Sequence, residues 1–349
     1  MLFWFIFILV VFFCLGEFNL NGRWNRSLMQ RIGVCIITLV SVLRFDVGFD
    51  YFSYYKDILD ATYDRYEPLS WLIFHFAYTI KYPPIAFMLV GCLTYFFAIS
   101  TIWKFSKNRF IGIMVYVCIF YLTSLGYIRQ ALAVSITFWG IRYIYQKSFI
   151  KYLLTCVLAI LFHYSAFLAI IIYPMYRFMT NKMIFISLVS IYLTLDLALL
   201  FLSDIRFYGG IAEGLLANEV DPATGGGRYV RLAMVFIVLF SFFVNYFKKV
   251  GIDNKLLGIS ATGLLFPFVL GPHFGMRIGD YFFIYLCLTF PETLSVYSVK
   301  FRTVTAIFLA CYFMILIGVG RDNVRPSFLP YQSVFSIENP MRPLLRWPE

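Results

Sequence analysis

Three pairs of polar side chains interrupt stretches that are otherwise apolar enough to lie in a membrane. They are Arg129 with Gln130, His163 with Ser165, and Arg277 with Asp280. An ionisable side chain at bilayer depth costs roughly 2.5–3.5 kcal/mol on insertion scales, so its presence indicates a buried polar site or a water-filled cavity. Arginine also offers a planar fork of donors that fits phosphate oxygens. The three pairs therefore predict a site that handles an anion in or beside the membrane.

A second group of polar and aromatic residues lies between two apolar runs near the start of the chain. Arg44 opens this segment, Asp50 and Tyr51 follow, Tyr55 lies one helical turn further on, and Glu67 precedes a proline. A carboxylate in low-dielectric surroundings can serve as a general base, and tyrosine rings suit contacts with sugars. A solvated loop with ordinary interfacial anchors explains the same residues equally well.

The segment 271–281 combines glycines and a proline with charged residues. Pro272 and the glycines permit a broken helix end, where free backbone N–H groups can bind an anion beside Arg277. Arg277 and Asp280 are three residues apart, so a local ion pair on one helix is an equal alternative. The cluster also contains His273 and Tyr281.

Structural explanations also compete for Arg129 and His163. An arginine at the end of a span commonly extends its charged head to the membrane surface. Gln130 weakens that explanation for Arg129, because two adjacent polar side chains cannot both face lipid at low cost. A buried neutral histidine bonded to a neighbouring helix is as good an explanation of His163 as proton transfer or phosphate contact.

The composition is that of an integral membrane protein. Of the 349 residues, 61% are hydrophobic and 13% are charged, against about 25% charged residues in soluble proteins. The net charge of +11 comes from small groups of Lys and Arg between spans, as in cytoplasmic loops, and does not indicate nucleic-acid binding. The seven cysteines include no Cys-x-x-Cys pair, so we expect neither a disulfide framework, nor a metal, nor a cofactor.

The apolar runs predict an all-α, polytopic fold. With about 20 residues for each crossing, we expect ten spans, near 2–20, 28–44, 84–103, 109–127, 129–146, 183–203, 229–247, 255–272, 277–298 and 301–320. Residues 67–82 are too short for a simple crossing, and 150–177 are too long for one span and too short for two. The whole chain, 1–349, is expected to form a single transmembrane domain.

The distribution of positive charge predicts the face on which each loop lies. Six groups of Lys and Arg, starting at Arg23, Lys104, Lys147, Arg177, Lys248 and Lys300, can all be cytoplasmic with only one parity of crossings. That parity puts the loops 44–66 and 204–228 and the tail 321–349 outside. Residues 67–82 then enter and leave from the outer side, and 150–177 form a re-entrant or broken pair that turns at 162–165. A glycine run at 225–227, expected to be irregular, precedes Arg228.

Taken in order, these clusters resemble the EpsG-like group of bacterial polysaccharide polymerases, the Wzy-type enzymes that join repeat units of O-antigen and exopolysaccharide. The matching stretches are Arg44 to Tyr51, Glu67-Pro68, Ile128 to Ala133, His163 to Ala166, Arg277 to Phe282, and Pro330-Tyr331-Gln332. They span nearly the whole chain, and their order and spacing make the set more specific than any single stretch.

The resemblance implies a glycosyltransferase with a helical, GT-C-like architecture in the bacterial inner membrane, active at the periplasmic face. Its donor and acceptor would be oligosaccharides linked to undecaprenyl pyrophosphate. Membrane lipids and a chain-length regulator protein would be further partners. In such enzymes the growing chain moves to the non-reducing end of another lipid-linked unit, and undecaprenyl pyrophosphate is released.

On this interpretation each candidate residue has a role. Asp50 or Glu67 is the general base, and His163 acts with it or holds the phosphate. The candidates for pyrophosphate binding are Arg129 and Arg277, followed by Arg44 and Arg228. The candidates for contacts with sugar or acceptor are Tyr51, Tyr55, Gln130, His273, Asp280 and Tyr281.

Two other functions fit the same residues. A ligase that moves finished glycan to another acceptor would share the donor and the arginines. A flippase or transporter of the lipid-linked unit would instead have charges along a path through the bilayer. The predicted topology disfavours transport, because most of the charged motifs lie at one face.

Overall fold

The structure, a computed structural model, describes residues 1–16, 26–178, 180, 225–248, 253–266, 272–319 and 328–335. Within these ranges the chain is mainly helical, which confirms the all-α prediction. Residues 1–167 and 297–349 form one compact unit, and residues 168–296 form another. We call them the first and the second unit.

The described helices follow one another with short connections. In chain order they are α1 (Leu2–Leu15), α2 (Arg26–Val42), α3 (Tyr51–Leu59), α4 (Pro68–Thr79), α5 (Pro84–Phe105), α6 (Arg109–Val115), α7 (Tyr121–Gly126), α8 (Ile128–Trp139), α9 (Ile141–Tyr145), α10 (Phe149–Ile160), α11 (Ile172–Phe178), α12 (Gly225–Lys248), α13 (Asn254–Thr262), α14 (Pro272–Phe283), α15 (Leu286–Leu294) and α16 (Val299–Val319). A π-helical turn, Tyr116–Phe120, joins α6 to α7. The described residues also form three 3-10 segments: Tyr63–Arg65, Tyr164–Ile171 and Gly263–Leu265.

Three helices in the described part of the chain are long and apolar enough to cross a membrane, judged by length and composition. They are Pro84–Phe105, Arg109–Gly126 and Val299–Gly318. Each begins and ends within a few residues of a predicted span. The predicted span 229–247 lies within the single helix α12, and 183–203 lies outside the described residues. The remaining predicted spans correspond to shorter or interrupted helices.

Two predicted spans are interrupted. The span 129–146 divides at Gly140 into α8 and α9, where a Cβ would lie 3.2 Å from the side chains of Thr155 and Tyr152. Glycine thus lets α10 pack closely against the bend. The span 277–298 is divided between α14 and α15.

A short pair of strands joins an early loop of the chain to its tail. β1 (Arg44–Phe45) pairs in antiparallel fashion with β2 (Gln332–Ser333). The indole of Trp4 donates a hydrogen bond of 2.9 Å to the carbonyl of Phe328. The start of α1, the end of α2 and the described part of the tail therefore lie at the same end of the first unit. The predicted parity likewise puts the loop after α2 and the tail on one face.

The loop after β1 is fixed against the turn between α7 and α8. Gly48 has a φ of 120°, and a Cβ there would lie 2.1 Å from the carbonyl oxygen of Leu125. The Phe49 ring stacks on Tyr127, with ring centroids 6.3 Å apart. Only glycine fits at position 48, so the loop and the turn form one surface.

In the second unit, α11 is linked to the residues around α13. The Tyr176 hydroxyl donates to Asp253 at 2.9 Å, and the backbone N–H of Asp253 donates to Glu292 at 2.9 Å. α12 begins at Gly225, so the prediction that the glycine run 225–227 is irregular was wrong. The first turn of a helix tolerates glycine when a long apolar segment follows, because that segment stabilises the helix as a whole.

Candidate active site

The central polar contact of the first unit joins Glu67 to Arg129. Glu67 precedes Pro68, the first residue of α4, and Arg129 lies in the first turn of α8. Arg129 Nη1 donates to Glu67 Oε2, and the side chains are only 14% and 5% exposed for Arg129 and Glu67. Each charge alone would be costly in such shielded surroundings, and the ion pair offsets that cost.

The turn after α10 is the third part of this site. The backbone N–H of Tyr164 donates to Glu67 Oε1 at 3.0 Å. The start of α4 is fixed to the same turn, because the N–H of Leu69 donates to the Leu161 carbonyl at 2.9 Å and Ser70 Oγ donates to the Phe162 carbonyl at 2.8 Å. Three stretches that were singled out in the sequence therefore meet around one carboxylate.

His163 lies in this turn with one ring nitrogen already engaged. The backbone N–H of Ser165 donates to His163 Nδ1 at 3.3 Å, and Ser165 Oγ lies 2.7 Å from the same nitrogen. A nitrogen that accepts from a backbone N–H carries no proton of its own, so the neutral ring has its proton on Nε2. The N–H donor of the neutral His163 ring is therefore at Nε2.

Two tyrosine rings enclose the guanidinium of Arg129. The guanidinium carbon lies 3.9 Å from the centroid of the Tyr66 ring and 5.5 Å from that of Tyr54. The negative faces of these rings stabilise the cation and fix its plane. Arg129 Nε is buried and has no hydrogen-bond acceptor among the described residues. This donor suits a ligand oxygen that enters the site.

Asp57 supports the ring on which Arg129 rests. Its carboxylate accepts from the Tyr66 hydroxyl, from Arg65 Nη2 at 2.9 Å and from Thr62 Oγ1 at 3.0 Å. Burial raises the pKa of Tyr66 above its usual value, and the bond to Asp57 adds to that shift. The Tyr66 hydroxyl therefore stays protonated and remains a donor to Asp57.

Asp57, Tyr66 and Tyr54 were not among the predicted site residues. One signal was available, since Tyr51, Tyr54 and Asp57 recur every three residues along α3 and all three are buried. A carboxylate on the buried face of an amphipathic helix indicates a partner inside the protein.

Arg44 has partners of a different kind. It is 1% exposed, and it donates to the carbonyls of Ser41, Val47 and Leu125 at 2.6, 3.0 and 3.1 Å. These bonds tie the end of α2 to the α7–α8 turn. Through these bonds Arg44 holds backbone segments together. Its suggested contact with pyrophosphate stays a prediction.

The other candidates in the first unit lie beside this framework. Tyr51 is 1% exposed and stacks on Phe87 with centroids 3.9 Å apart. Tyr55 is half-buried next to Tyr51, and Asp50 is half-buried just before α3. Gln130, the neighbour of Arg129, is buried. Their predicted roles in sugar contact and base catalysis stay predictions.

The remaining candidates belong to the second unit. Arg277 and Asp280 are half-buried, three residues apart on α14, and Tyr281 is fully buried. α14 begins at Pro272, where the sequence suggested a helix end. Two more candidates are helical, and their side chains lie outside the described atoms: His273 and Arg228.

The arrangement around Glu67 can accept a proton and bind an anion at adjacent positions. Glu67 is oriented by a backbone N–H, Arg129 supplies positive charge, and His163 supplies a further donor in the same turn. No group of three or more His, Cys, Asp or Glu that could hold a metal ion occurs in the described part of the chain.

The region of the chain that matches a known protein family contains the motifs that meet here. Searches against curated proteins and against solved structures give no match. The match to the EpsG family covers residues 28–333, which includes Glu67, Arg129, His163 and Arg277. Membership of that family indicates a membrane protein with a polysaccharide polymerase-type function. The chain belongs to the EpsG family.

Proposed function

We propose that this protein polymerises oligosaccharide units linked to undecaprenyl pyrophosphate at the periplasmic face of the bacterial inner membrane. The observation that carries the proposal is the cluster of Glu67, Arg129 and the His163 turn, built from three distant stretches of an EpsG-family chain. Such a reaction needs one group to take a proton from the acceptor hydroxyl and a cation for the departing pyrophosphate.

The acceptor hydroxyl attacks the anomeric carbon of the donor glycan. A new carbon–oxygen bond forms as the bond from that carbon to the pyrophosphate oxygen breaks. Glu67 takes the hydroxyl proton, and undecaprenyl pyrophosphate leaves with the bonding electrons. Because this leaving group is already good, the protein mainly has to align two lipid-linked substrates and stabilise the negative charge.

The resting contact between Glu67 and Arg129 gives this scheme an order of events. The donor's pyrophosphate competes with Glu67 for the guanidinium, and its greater negative charge favours the exchange. Glu67 then loses one partner and keeps the N–H of Tyr164, which holds the carboxylate in place. Substrate binding thereby produces the free base that the chemistry requires. His163 Nε2 is a second donor to phosphate.

The test uses purified protein in lipid nanodiscs with a defined lipid-linked repeat unit, and product length is resolved on a gel. We expect Arg129→Ala and Glu67→Gln each to abolish detectable chain extension. The lost Arg129 donor costs about 2.7–4 kcal/mol of barrier, and the lost Glu67 base costs about 10²–10⁴-fold in rate. Arg277→Ala, in the second unit, is expected to lower extension by a similar factor. The matched controls are Asp60→Asn and Arg109→Ala, which change exposed residues and should leave product length unchanged.

Loss of a buried charge partner also destabilises the fold, by about 3–5 kcal/mol. A protein in which the two charges are exchanged separates this loss of stability from the loss of catalysis. The double variant Glu67→Arg with Arg129→Glu restores the ion pair and should regain unfolding temperature relative to either single variant. It should still fail to extend chains. Full extension by Glu67→Gln, or by the exchanged pair, would contradict the assignment of Glu67 as the base.

The product profile of intact cells distinguishes polymerase from ligase and transporter. A deletion strain with single-repeat glycans supports the polymerase. Long chains that are not attached to their final acceptor would indicate a ligase instead, and lipid-linked units accumulating on the cytoplasmic side would indicate a flippase.

A further inference from the structure

The described part of the tail, residues 328–335, packs along one end of the first unit. The Tyr331 hydroxyl donates to the Val40 carbonyl at 2.8 Å. The backbone N–H of Val334 donates to the Leu43 carbonyl at 2.9 Å, next to the strand pair. These bonds fix the tail segment to the end of α2.

Phe328 is the residue of this segment that contacts the loop after β1. Its carbonyl accepts the bond from the Trp4 indole, and the residue is only 5% exposed. Its ring meets that of Phe49 edge to face, with centroids 5.0 Å apart and planes inclined by 78°. Aromatic pairs in this arrangement stabilise a structure beyond the area that they bury. The tail therefore holds the ring of Phe49.

Phe49 also contacts the turn that precedes α8. Its ring stacks on that of Tyr127, with the two planes inclined by 22°. A Cβ on Gly126 would lie 3.1 Å from Cδ2 of Phe49, so the ring lies directly on the backbone of the turn. Closely packed groups transmit a displacement, because no void between them absorbs it. Phe49 therefore joins the tail to the turn.

Tyr127 belongs to the first turn of α8, in which Arg129 lies. It occupies the cap position before Ile128, and its carbonyl accepts from the N–H of Ala131 at 2.8 Å. Arg129 is the second residue of the helix, so its backbone moves with that turn. A misplacement of about 1 Å at a reacting group can cost about 100-fold in rate. A shift of Tyr127 would therefore matter to the chemistry at Arg129.

We propose that Phe328 is a positioning residue for the reaction, because its contact with Phe49 holds the first turn of α8 and thereby places Arg129. This inference rests on the proposed function for the role of Arg129. Phe328 acts through other side chains and is therefore not a catalytic residue. Arg129 stabilises charge that develops as the bond to pyrophosphate breaks, so loss of the Phe328 ring should lower kcat more than it raises KM.

The experiment measures amide hydrogen exchange of the full-length protein in nanodiscs by mass spectrometry. In Phe328→Ala we expect the peptide that contains Ala131 to exchange about twofold to tenfold faster than in wild type, as for the loss of one aromatic pair. The matched control is Phe12→Ala, at the other end of α1, which removes a ring of similar burial that meets Phe110 edge to face. It should lower the unfolding temperature and leave the exchange of that peptide unchanged.

A double-variant cycle tests the route from the tail to α8. Phe49→Ala should speed exchange of the same peptide. Adding Phe328→Ala to it should have no further effect, because both substitutions act through one contact. Additive effects on exchange would overturn the route through Phe49.

Chain extension is the second readout. At equal folded fraction, kcat of Phe328→Ala should fall about tenfold, and Phe12→Ala should keep the wild-type kcat. Phe328→Leu keeps most of the apolar volume, should fall between them, and replaces Phe328→Ala if that variant does not fold. Unchanged exchange at the start of α8, or faster exchange with unchanged kcat, overturns the inference. If the wild type makes no polymer, the proposed function fails, whereas the exchange cycle still decides whether the tail holds α8.

Discussion

At the scale of single residues, the site consists of charges that are costly alone and stable together. Glu67 has two partners, a guanidinium and a backbone N–H, and Arg129 rests on the Tyr66 ring. Asp57 lies one step further out, where it is bonded to Tyr66, Arg65 and Thr62. It acts by holding the Tyr66 ring. We therefore regard Asp57 and Tyr66 as positioning residues rather than catalytic ones.

Two substitutions at Tyr66 test this positioning role. Tyr66→Phe keeps the ring under Arg129 and loses the hydroxyl bond to Asp57, and we expect a loss of about 1 kcal/mol in transition-state stabilisation. Tyr66→Leu also removes the cation–π contact, worth about 0.5–2 kcal/mol, and should lose more. The two variants are compared by kcat/KM for chain extension.

A purely structural role for Tyr66 would lower the unfolding temperature of both variants and leave kcat unchanged once the protein is folded. A positioning role predicts that kcat falls in the order wild type, Phe variant, Leu variant, at equal folded fraction. Equal kcat for all three proteins would argue against a link from Asp57 to Arg129.

At the scale of elements, the site depends on where helices end. α4 begins next to Glu67, α8 begins next to Arg129, and α10 ends just before His163. The α7–α8 turn is itself fixed to the loop after β1, by the close approach of Gly48 and by the Arg44 bond to Leu125. The first turn of α8 thus has its position set by the loop after β1.

A Gly48→Ala substitution tests this dependence. Its Cβ would lie 2.1 Å from the Leu125 carbonyl oxygen, at a φ of 120° that side chains rarely adopt. We expect a loss of at least about 2 kcal/mol in the free energy of unfolding. Thermal unfolding of the purified protein measures it. Gly318→Ala is the control, because its nearest neighbour, Met1 Cε, lies 3.8 Å away, and it should unfold as wild type does.

The sequence was sufficient for part of this picture. Long uniform spans such as 84–103 were predictable because hydrophobic length is a local property. Arg129 and His163 were recognisable because a polar residue in an apolar run needs an explanation. Glu67 was recognisable because a carboxylate in low-dielectric surroundings can serve as a general base. The role of Arg44 was not recognisable, since its partner Leu125 is 81 positions away. Tyr66 was missed for a similar reason: a loop brings it to Arg129, and loops have no periodicity to read.

At the scale of the whole molecule, the distribution of charge gives one topology, and the geometry of the first unit is compatible with it. The β1 loop, the α7–α8 turn, the start of α4 and the turn after α10 are joined by direct hydrogen bonds. All four are segments that the parity of crossings puts outside or at a turning point. A substrate delivered to the periplasmic face would meet them together.

Labelling of introduced cysteines tests that topology. In a background with the exposed Cys35, Cys92 and Cys311 changed to serine, we expect Tyr164→Cys to react with a membrane-impermeant maleimide added to intact spheroplasts. The Tyr164 side chain is 59% exposed, and only its backbone N–H contacts Glu67. Lys107→Cys, in a predicted cytoplasmic loop, should react only after the membrane is opened. The reverse pattern would place the active site on the cytoplasmic side.

The strand pair between β1 and β2 has a consequence for biosynthesis. Its partners come from opposite ends of a unit that is discontinuous in sequence, with residues 168–296 made in between. At ordinary translation rates the ribosome needs on the order of ten seconds for that interval. Throughout it the backbone of Arg44 and Phe45 and the indole of Trp4 lack their final partners. The strand pair and the Trp4 hydrogen bond can therefore form only after residues 168–296 have been made.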